Sequence, residues 1–269
     1  MKIPRNLSIP ALLLALVATA ATAAPAQELD VQSIVDRASA TAYYQGADGR
    51  ATVTMSIEDA QGRERSRRFT ILRQDVDDED NGEQRFYVHF SRPADVNGTV
   101  FMVWKHVGRD DDRWLYLPAL DLVKRIAASD ERTSFVGSHF FYEDVSGRSP
   151  QEDRHELVEE TDTYYVVDSR PKEPETVEFG RYRSYLHKET FIPVKIEYFD
   201  REGDPYRTYQ ALAVETIEGY PTVTRSEMAD SRMGGKTVLA YDAVDYDLGL
   251  PDDIFAERYL RNPPRQYLR

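Results

Sequence analysis

The chain has 269 residues, a formal net charge of −13 at pH 7 and no cysteine. The lack of cysteine excludes disulfides, thiolate metal ligands and acylation of an N-terminal cysteine. The acidic excess repels phosphate backbones and anionic bilayer surfaces, so nucleic acid is not an expected partner.

The first 26 residues are predicted to be a secretory signal peptide. Lys2 and Arg5 precede an apolar stretch over 9–18, and small residues follow it, with cleavage expected after Ala26. The stretch has about ten residues, whereas a helix that crosses a membrane needs about twenty. The mature chain, residues 27–269, is expected to be a single domain in the periplasm. Loss of the two basic residues changes the net charge from −13 to −15.

One amphipathic helix is predicted at the start of the mature chain. Asp30 can cap its first turn, and Gly46 can end it. Apolar residues recur between them at one-turn spacing, at Val31, Ile34, Val35 and Ala38. This spacing places one apolar face along the helix.

Segments in which apolar and polar residues alternate dominate the rest of the chain. They lie at 52–57, 69–71, 86–90, 192–198, 214–217, 222–224 and 237–241. Period two is typical of strands with one buried face, and turns such as Asn97-Gly98 and Gly234-Gly235 separate the segments. Because strands and helices do not alternate, the sequence predicts a mostly antiparallel β protein, curled into a sandwich or barrel.

Two predicted strands, 99–104 and 114–117, are apolar at nearly every position. A strand with one face in water alternates with polar residues, so both faces of these strands should be covered. A helix or a ligand can cover the concave side of a curved sheet. The convex side is then expected to need another element of the chain or a partner protein.

The patterns that could indicate a metal site are weak. Asp77, Glu79 and Asn81, followed by Gly82, approximate the start of a calcium-binding loop. The twelfth position of such a loop needs a bidentate carboxylate but is occupied by Val88, so the acidic run is interpreted as a solvated hairpin tip. The histidines have no spacing typical of zinc sites; they are His89, His106, His139, His155 and His187. No metal or cofactor is predicted.

Residues 134–148, SFVGSHFFYEDVSGR, contain side chains that could serve catalysis. Ser138 and His139 lack the second glycine of a nucleophile elbow, and neighbours on extended backbone point to opposite faces. Glu143 and Asp144 are adjacent, and adjacent carboxylates seldom flank one glycosidic bond. We interpret them as a polar turn or helix end and predict no enzyme activity. A hydrolase acting on lipid or glycan is the less favoured alternative.

The aromatic residues of the same segment are a stronger signal. Phe135, Phe140, Phe141 and Tyr142 make it too apolar for an ordinary exposed loop, and Gly137 adds flexibility. The rings should therefore insert into the rest of the protein. Two interpretations are equally consistent with the local pattern: the rings fill the core of the sheet, or they form a lid over a bound apolar ligand.

Residues 112–144, DRWLYLPALDLVKRIAASDERTSFVGSHFFYED, resemble the signature region of the LolA-like outer-membrane lipoprotein-sorting proteins, in the branch associated with RND-type exporters. The motifs IPVKIEYFDREG and YDLGLPDDIF and the N-terminal helix support the resemblance, which covers most of the mature chain. The sequence differs from that branch at His139, where an acidic residue is more usual.

The resemblance implies an incompletely closed, strongly curved antiparallel β-barrel whose apolar concave face is covered by a helical lid. It implies a periplasmic carrier, a chaperone for a lipid or lipoprotein acyl chain that works with an inner-membrane RND-type exporter. Such a carrier needs an apolar cavity because each methylene exposed to water costs about 0.8 kcal/mol. The alternative function is a non-carrying accessory subunit that docks on an exporter, with Trp104 and Leu115 as candidate docking residues.

The candidate pocket and lid residues follow from the strand alternation and the aromatic segment. They are Phe69, Ile71, Phe86, Val88, Phe90, Trp114, Tyr116, Phe135, Phe140, Phe141 and Tyr142. For strand 114–117 the phase is open, because a shift of one residue exchanges the two faces. In the other phase, Leu115 and Leu117 face the cavity instead of Trp114 and Tyr116.

Overall fold

The computed structural model describes residues 29–77 and 81–269. The predicted signal peptide and Glu79 of the acidic run lie outside the described residues. The helices and strands are α1 (Val31–Tyr43), β1 (Asp48–Asp59), β2 (Glu64–Asp75), β3 (Gln84–Arg92), β4 (Val100–Lys105), β5 (Asp112–Leu117), β6 (Leu122–Ile126), α2 (Tyr142–Ser146), β7 (Asp153–Glu160), β8 (Tyr164–Pro171), β9 (Arg181–His187), β10 (Pro193–Phe199), β11 (Pro205–Ile217), β12 (Tyr220–Asp230) and β13 (Gly235–Tyr246).

These strands form one antiparallel sheet in the order β6-β5-β4-β3-β2-β1-β13-β12-β11-β10-β9-β8-β7. Strands that are neighbours in sequence pair with each other, except β6 and β7, and β1 also pairs with β13, which joins the two halves of the sheet. The two ends, β6 and β7, are not paired with each other, so the barrel is not closed. The prediction of an incompletely closed, strongly curved antiparallel β-barrel is confirmed.

The curvature has a local cause in the strand registers. The pairing shifts at Val53 in β1, at Phe69 in β2 and at Ala213 in β11. Such irregularities bend the bulged strand and increase its twist. The sheet therefore curls around one face, which we call the concave face; the other is the convex face.

The N-terminal helix α1 forms where the sequence predicts it. The Asp30 side chain accepts a hydrogen bond from the Ser33 backbone N–H at 2.9 Å and so caps the first turn. Ile34 and Ala38 are buried against residues of β8 and β9, including Val167 and Leu186. The helix thus covers one end of the sheet.

The C-terminal segment, residues 247–269, covers the convex face of β2 to β5. Its apolar residues Leu250, Ile254, Phe255 and Leu260 pack against buried side chains on that face, namely Leu72, Tyr87, Val100, Met102 and Trp114. Hydrogen bonds add to this packing: Trp104 Nε1 donates to the Phe255 carbonyl at 2.8 Å, and Tyr87 Oη donates to the Tyr259 carbonyl at 2.7 Å. The strands that are apolar on both faces are therefore covered by the chain itself, and they do not require a partner protein.

Candidate functional site: an apolar cavity under the crossover segment

Residues 127–152 connect β6 to β7 and so run between the two ends of the sheet; we call them the crossover segment. Their central part folds back on itself, since the Phe135 backbone N–H donates to the Phe140 carbonyl at 2.7 Å. Val136 and Gly137 both have positive φ, 50° and 78°, which closes this tight turn. Glycine adopts that conformation at little cost, whereas valine is strained in it.

The turn inserts aromatic rings into the concave face of the first half of the sheet. The Phe135 ring lies 5.7 Å from Phe90, 5.5 Å from Phe101 and 5.6 Å from Tyr142, measured between ring centroids. Phe69 packs against the same group, at 5.0 Å from Phe90. Separations of this size are typical of favourable aromatic pairs. Over β2 to β4 the crossover segment therefore fills the core, as the first interpretation of these rings expected.

Charged groups connect the crossover segment to the first half of the sheet. Arg113 on β5 pairs with Glu131 at 2.5 Å, and Lys105 on β4 donates to the Ser146 carbonyl at 2.8 Å. Burial raises the pKa of Glu131 to about 7 and lowers the pKa of Lys105 to about 8. In both cases the low-polarity surroundings disfavour the charged form.

Different side chains connect the segment to the second half. His139 is buried; its Nε2 donates to the Gly234 carbonyl at 3.0 Å, and its Nδ1 lies 2.8 Å from Thr237 Oγ1 on β13. Arg207 on β11 is fully buried, forms an ion pair with Asp144 and lies with its guanidinium carbon 3.9 Å from the centre of the Phe141 ring. The stacked arginine explains the place of Phe141, which lies outside the aromatic group around Phe135.

A buried ionic network surrounds Glu143. Its carboxylate pairs with Arg132 and, at 3.2 Å, with Arg148, and Arg132 also pairs with Glu178 at 2.7 Å. Burial raises the pKa of Glu143, but the guanidinium groups of Arg132 and Arg148 outweigh it and hold this pKa below its ordinary value. Glu143 is therefore an ionised structural group that links α2 to the chain between β8 and β9.

The side chains that the sequence offered as candidates for catalysis all have structural partners. Among the described residues, Ser138 Oγ bonds within its own turn, to Phe140, and His139 contacts Thr237 rather than Ser138. Glu143 and Asp144 each pair with arginine. Their positions follow the interpretation as a polar turn and helix end, and they form no arrangement of nucleophile and base.

Beside the filled region, the concave face contains a cavity of about 310 Å³. Ligand pockets begin at about this volume. Its walls are mostly apolar and come from both halves of the sheet and from the crossover segment, through Met55, Phe69, Ile71, Phe86, Val88, Phe135, Phe140, Val145, Ile192, Ile196, Tyr198, Tyr209, Met228, Leu239, Tyr241 and Val244. Burial raises the pKa of Tyr198 and of Tyr241 to about 12, so both phenols are neutral at physiological pH.

Polar residues gather at the end of the cavity that lies between the C-terminus of α1 and the ends of β1, β12 and β13. There Arg50 pairs with Asp245 at 2.7 Å, and Gln45 Nε2 donates to the Pro221 carbonyl at 2.8 Å. The neighbouring residue Ala42 is exposed to solvent. The cavity thus combines an apolar interior with a polar rim at one end.

The structure brings together most of the predicted pocket residues. Six line the cavity: Phe69, Ile71, Phe86, Val88, Phe135 and Phe140. Phe90 and Tyr142 lie on the same concave face but belong to the filled aromatic group, and Phe141 stacks on Arg207. The crossover segment therefore contributes both to the cavity and to the core: Phe135 and Phe140 form a wall of the cavity, whereas Tyr142 fills the core.

The expected phase of strand 114–117 is wrong. Trp114 and Tyr116 lie on the convex face with the C-terminal segment, and Leu115 packs into the concave core. Leu115 thus has the orientation of the alternative phase, but it packs into the core and does not line the cavity; the large rings have their partner surface on the convex side. Of the two candidate docking residues, Trp104 donates to the Phe255 carbonyl on the convex face, and Leu115 packs into the concave core.

Sequence reasoning missed the cavity residues of the second half of the sheet. Tyr209, Met228, Leu239 and Tyr241 belong to alternating strands, and the alternation could have identified them as one face. It could not identify which of the two faces bends around the cavity.

In the part of the chain that the structure describes, no three His, Cys, Asp or Glu side chains are grouped so that they could hold a metal ion. Among the same residues, no helix has both the length and the apolar character needed to span a membrane.

This chain is similar to a described protein family and to several solved structures. A family model described as that of an uncharacterized protein matches residues 82–262, which is more than half of the chain. The crystal structure of a DUF1329 family protein from Desulfovibrio piger is similar, with 28% identity, a TM-score of 0.78, and coverage of 85% of this chain and 97% of that one. The structure of a domain assigned to outer membrane lipoprotein sorting, from Vibrio parahaemolyticus, has 26% identity and a TM-score of 0.77, and covers 86% and 97% of the two chains.

The chain belongs to the family of uncharacterized proteins that this model describes, and it is similar in structure to LolA-like proteins. A LolA superfamily protein from Nitrosomonas europaea shares the LolA-like fold, with 22% identity, a TM-score of 0.66, and coverage of 86% of this chain and 100% of that one. No match was found among curated proteins. The LolA-like fold agrees with the observed curved sheet.

Proposed function

We propose that this LolA-like protein is a soluble periplasmic carrier that binds a lipid or lipoprotein acyl chain in its cavity and transfers it between membrane-associated partners. The observation that carries the proposal is the cavity of about 310 Å³, walled by apolar side chains and bounded on one side by the crossover segment. A hydrocarbon chain gains about 25 cal/mol for each Å² of apolar surface removed from water, so such a cavity favours it over polar ligands.

The polar rim supports the same function. An acyl chain in the interior would leave its polar head near Arg50, Gln45 and Asp245, where charged and hydrogen-bonding groups can solvate it. Binding of this kind needs burial and no reacting group, which supports a carrier rather than an enzyme. The sorting role in the name of the Vibrio parahaemolyticus structure supports a lipoprotein acyl chain as cargo.

The proposal includes the context that the sequence predicts. A signal peptide over 1–26 would export a single carrier domain, residues 27–269, to the periplasm. There an inner-membrane RND-type exporter would be one of the partners that supply or accept the cargo. The resemblance of residues 112–144 to the exporter-associated branch supports this partner.

A pair of neighbouring residues on β13 tests the cavity. Leu239 lines it, whereas Val238 faces the other side of the sheet, and both are partly exposed. We expect Leu239→Asp to weaken binding of a fluorescent fatty acid at least tenfold, because it places a charge in the apolar interior. Val238→Asp adds the same charge outside the cavity and should bind like the wild type. Fluorescence titration gives the dissociation constants, and circular dichroism verifies that both variants are folded.

Native mass spectrometry of the purified protein gives an independent test, since a carrier is expected to retain an amphiphile from the cell. Equal binding by the two folded variants would contradict the proposed cavity. Wild-type protein that is always recovered empty, and that also ignores the fatty acid probe, would contradict the carrier function.

A further inference from the structure

A second pocket lies on the convex face, separated from the apolar cavity by the sheet. Its volume is about 700 Å³, and it is formed by the outer side of β1 to β3, the turn between β3 and β4, and the C-terminal segment. Side chains that can carry positive charge surround it, at Arg68, His89, Arg261, Arg265 and Arg269, and no carboxylate side chain lines it among the described residues. In a chain with a net charge of −13, this is a local concentration of the opposite sign.

Two of these arginines already have acidic partners outside the pocket. Arg68 pairs with Asp242 at 3.0 Å, and Arg261 pairs with Asp121 at 2.8 Å. These ion pairs hold their side chains in place, while the charge of each arginine is partly neutralised. Arg68 and Arg261 therefore shape the walls of the pocket but contribute little uncompensated positive charge to it.

Arg265 and His89 differ from these two residues. Within the described part of the chain, neither side chain forms an ion pair, and no hydrogen bond to either one is found. Burial, and after it the nearby guanidinium of Arg265, lower the pKa of His89, so the imidazole is neutral at physiological pH and the uncompensated charge is that of Arg265. A pocket with uncompensated positive charge is a place where an anion gains energy.

We propose that this convex pocket binds a phosphate ester, with Arg265 as its principal ligand. The planar guanidinium of arginine presents parallel N–H donors that match two oxygens of a phosphate group. The Thr70 and Ser91 hydroxyls line the same pocket, where they donate to the Leu268 and Arg68 carbonyls, so the donors for the phosphate come from Arg265. The volume exceeds that of inorganic phosphate, so the ligand is an ester with an organic substituent, such as a glycerol phosphate.

This chemistry is shared by soluble phosphate esters and by phospholipid headgroups. The negative charge of the whole protein does not exclude a headgroup, because salt screens distant charges beyond about 8 Å at physiological ionic strength. The pocket lies on the opposite face of the sheet from the acyl-chain cavity, so the two sites can be tested separately.

Isothermal titration calorimetry with sn-glycerol 3-phosphate, and co-sedimentation with vesicles of phosphatidylglycerol in phosphatidylcholine, test the proposal. We expect the wild type to bind at least one of these probes, and Arg265→Ala to weaken that binding tenfold or more. Arg265→Lys keeps the charge but loses the paired donors, and should be intermediate. Arg154→Ala removes an exposed arginine from the edge strand β7 and is the matched control.

The two probes distinguish the source of the ligand. Calorimetric binding without vesicle binding indicates a soluble ester, and vesicle binding that requires Arg265 indicates a lipid headgroup. Wild-type protein that binds neither probe would overturn the proposal, as would equal losses in Arg265→Ala and Arg154→Ala. Leu239→Asp should leave this binding unchanged, so failure of the carrier function and failure of this site give different results.

Discussion

The two halves of the sheet differ in how their faces are covered. In the half from β1 to β6, the crossover segment fills the concave face over β2 to β4 and the C-terminal segment covers the convex face. In the half from β7 to β13, apolar side chains such as Tyr209 and Leu239 border an open cavity, and the outer side of β11 exposes Leu212 and Val214 to solvent. The same strand architecture thus supports a packed core over β2 to β4 and, beside it, a binding space that both halves border.

The difference shows what creates the cavity. The rings of Phe135 and Tyr142 reach the first half of the sheet, and Arg207 and Thr237 hold the other side of the crossover segment against β11 and β13. The space that remains between these attachments is the cavity. Substitutions in the packed region and in the cavity wall should therefore differ in their cost to stability, which tests this comparison.

Truncation of Phe135 should have the largest effect. Phe135→Ala removes a buried ring that contacts several others, and we expect it to lower the free energy of unfolding by about 3–5 kcal/mol. Leu239→Ala in the partly exposed wall of the second half should cost only about 1–2 kcal/mol. Urea denaturation followed by circular dichroism gives both values. Equal costs would show that the two halves are packed alike.

The second prediction concerns Glu131, which connects the crossover segment to Arg113 on β5. The stability of the protein should depend on pH through this group, by less than the cost of Phe135→Ala. Because burial raises the pKa of Glu131 to about 7, the folded state favours its protonated form. The stabilisation from this group is complete below the unfolded pKa and is lost as pH rises through about 7, by roughly 1–3 kcal/mol.

Glu131→Gln should remove this loss, which urea denaturation between pH 4.5 and pH 8 can measure. Glu159→Gln, at an exposed position of β7, is the control and should keep the wild-type dependence. A wild-type dependence in Glu131→Gln would mean that other groups determine the response to pH.

The smallest expected effect concerns the covered convex face. Tyr87 is fully buried, and Tyr87→Phe removes the hydrogen bond to the Tyr259 carbonyl without opening a cavity. We expect a loss of about 1 kcal/mol in the free energy of unfolding. Tyr185→Phe, in the partly exposed second half, should cost less, since water can replace the lost partner. A larger loss for Tyr185→Phe than for Tyr87→Phe would mean that the C-terminal segment does not exclude water from the Tyr87 hydrogen bond.

Much of the fold could be predicted because it depends on local periodicity. The helix after Asp30 and the alternating strands at 52–57 and 192–198 appear where the pattern places them. Strands β7 to β9 were not predicted. In β7 most side chains are exposed, and its glutamates obscure the alternation that marks a buried face.

Part of the candidate site could be predicted for the same reason. Phe69, Ile71, Phe86 and Val88 share one face of adjacent strands, so their common exposure to the cavity follows from period two. The aromatic segment was recognised as inserted, but its division between the cavity wall and the packed core depends on the turn at Val136 and Gly137. Local pattern contains no information about that division.

The sequence by itself determined the mostly antiparallel class, the N-terminal helix, the need to cover the strands at 99–104 and 114–117, and the resemblance to LolA-like proteins. Only the tertiary structure decided which face of those strands turns inward, that the C-terminal segment covers the other face, and where the crossover segment stops short of the sheet. The reason is physical: periodicity records that one face is buried, whereas the surface that buries it comes from residues far away along the chain.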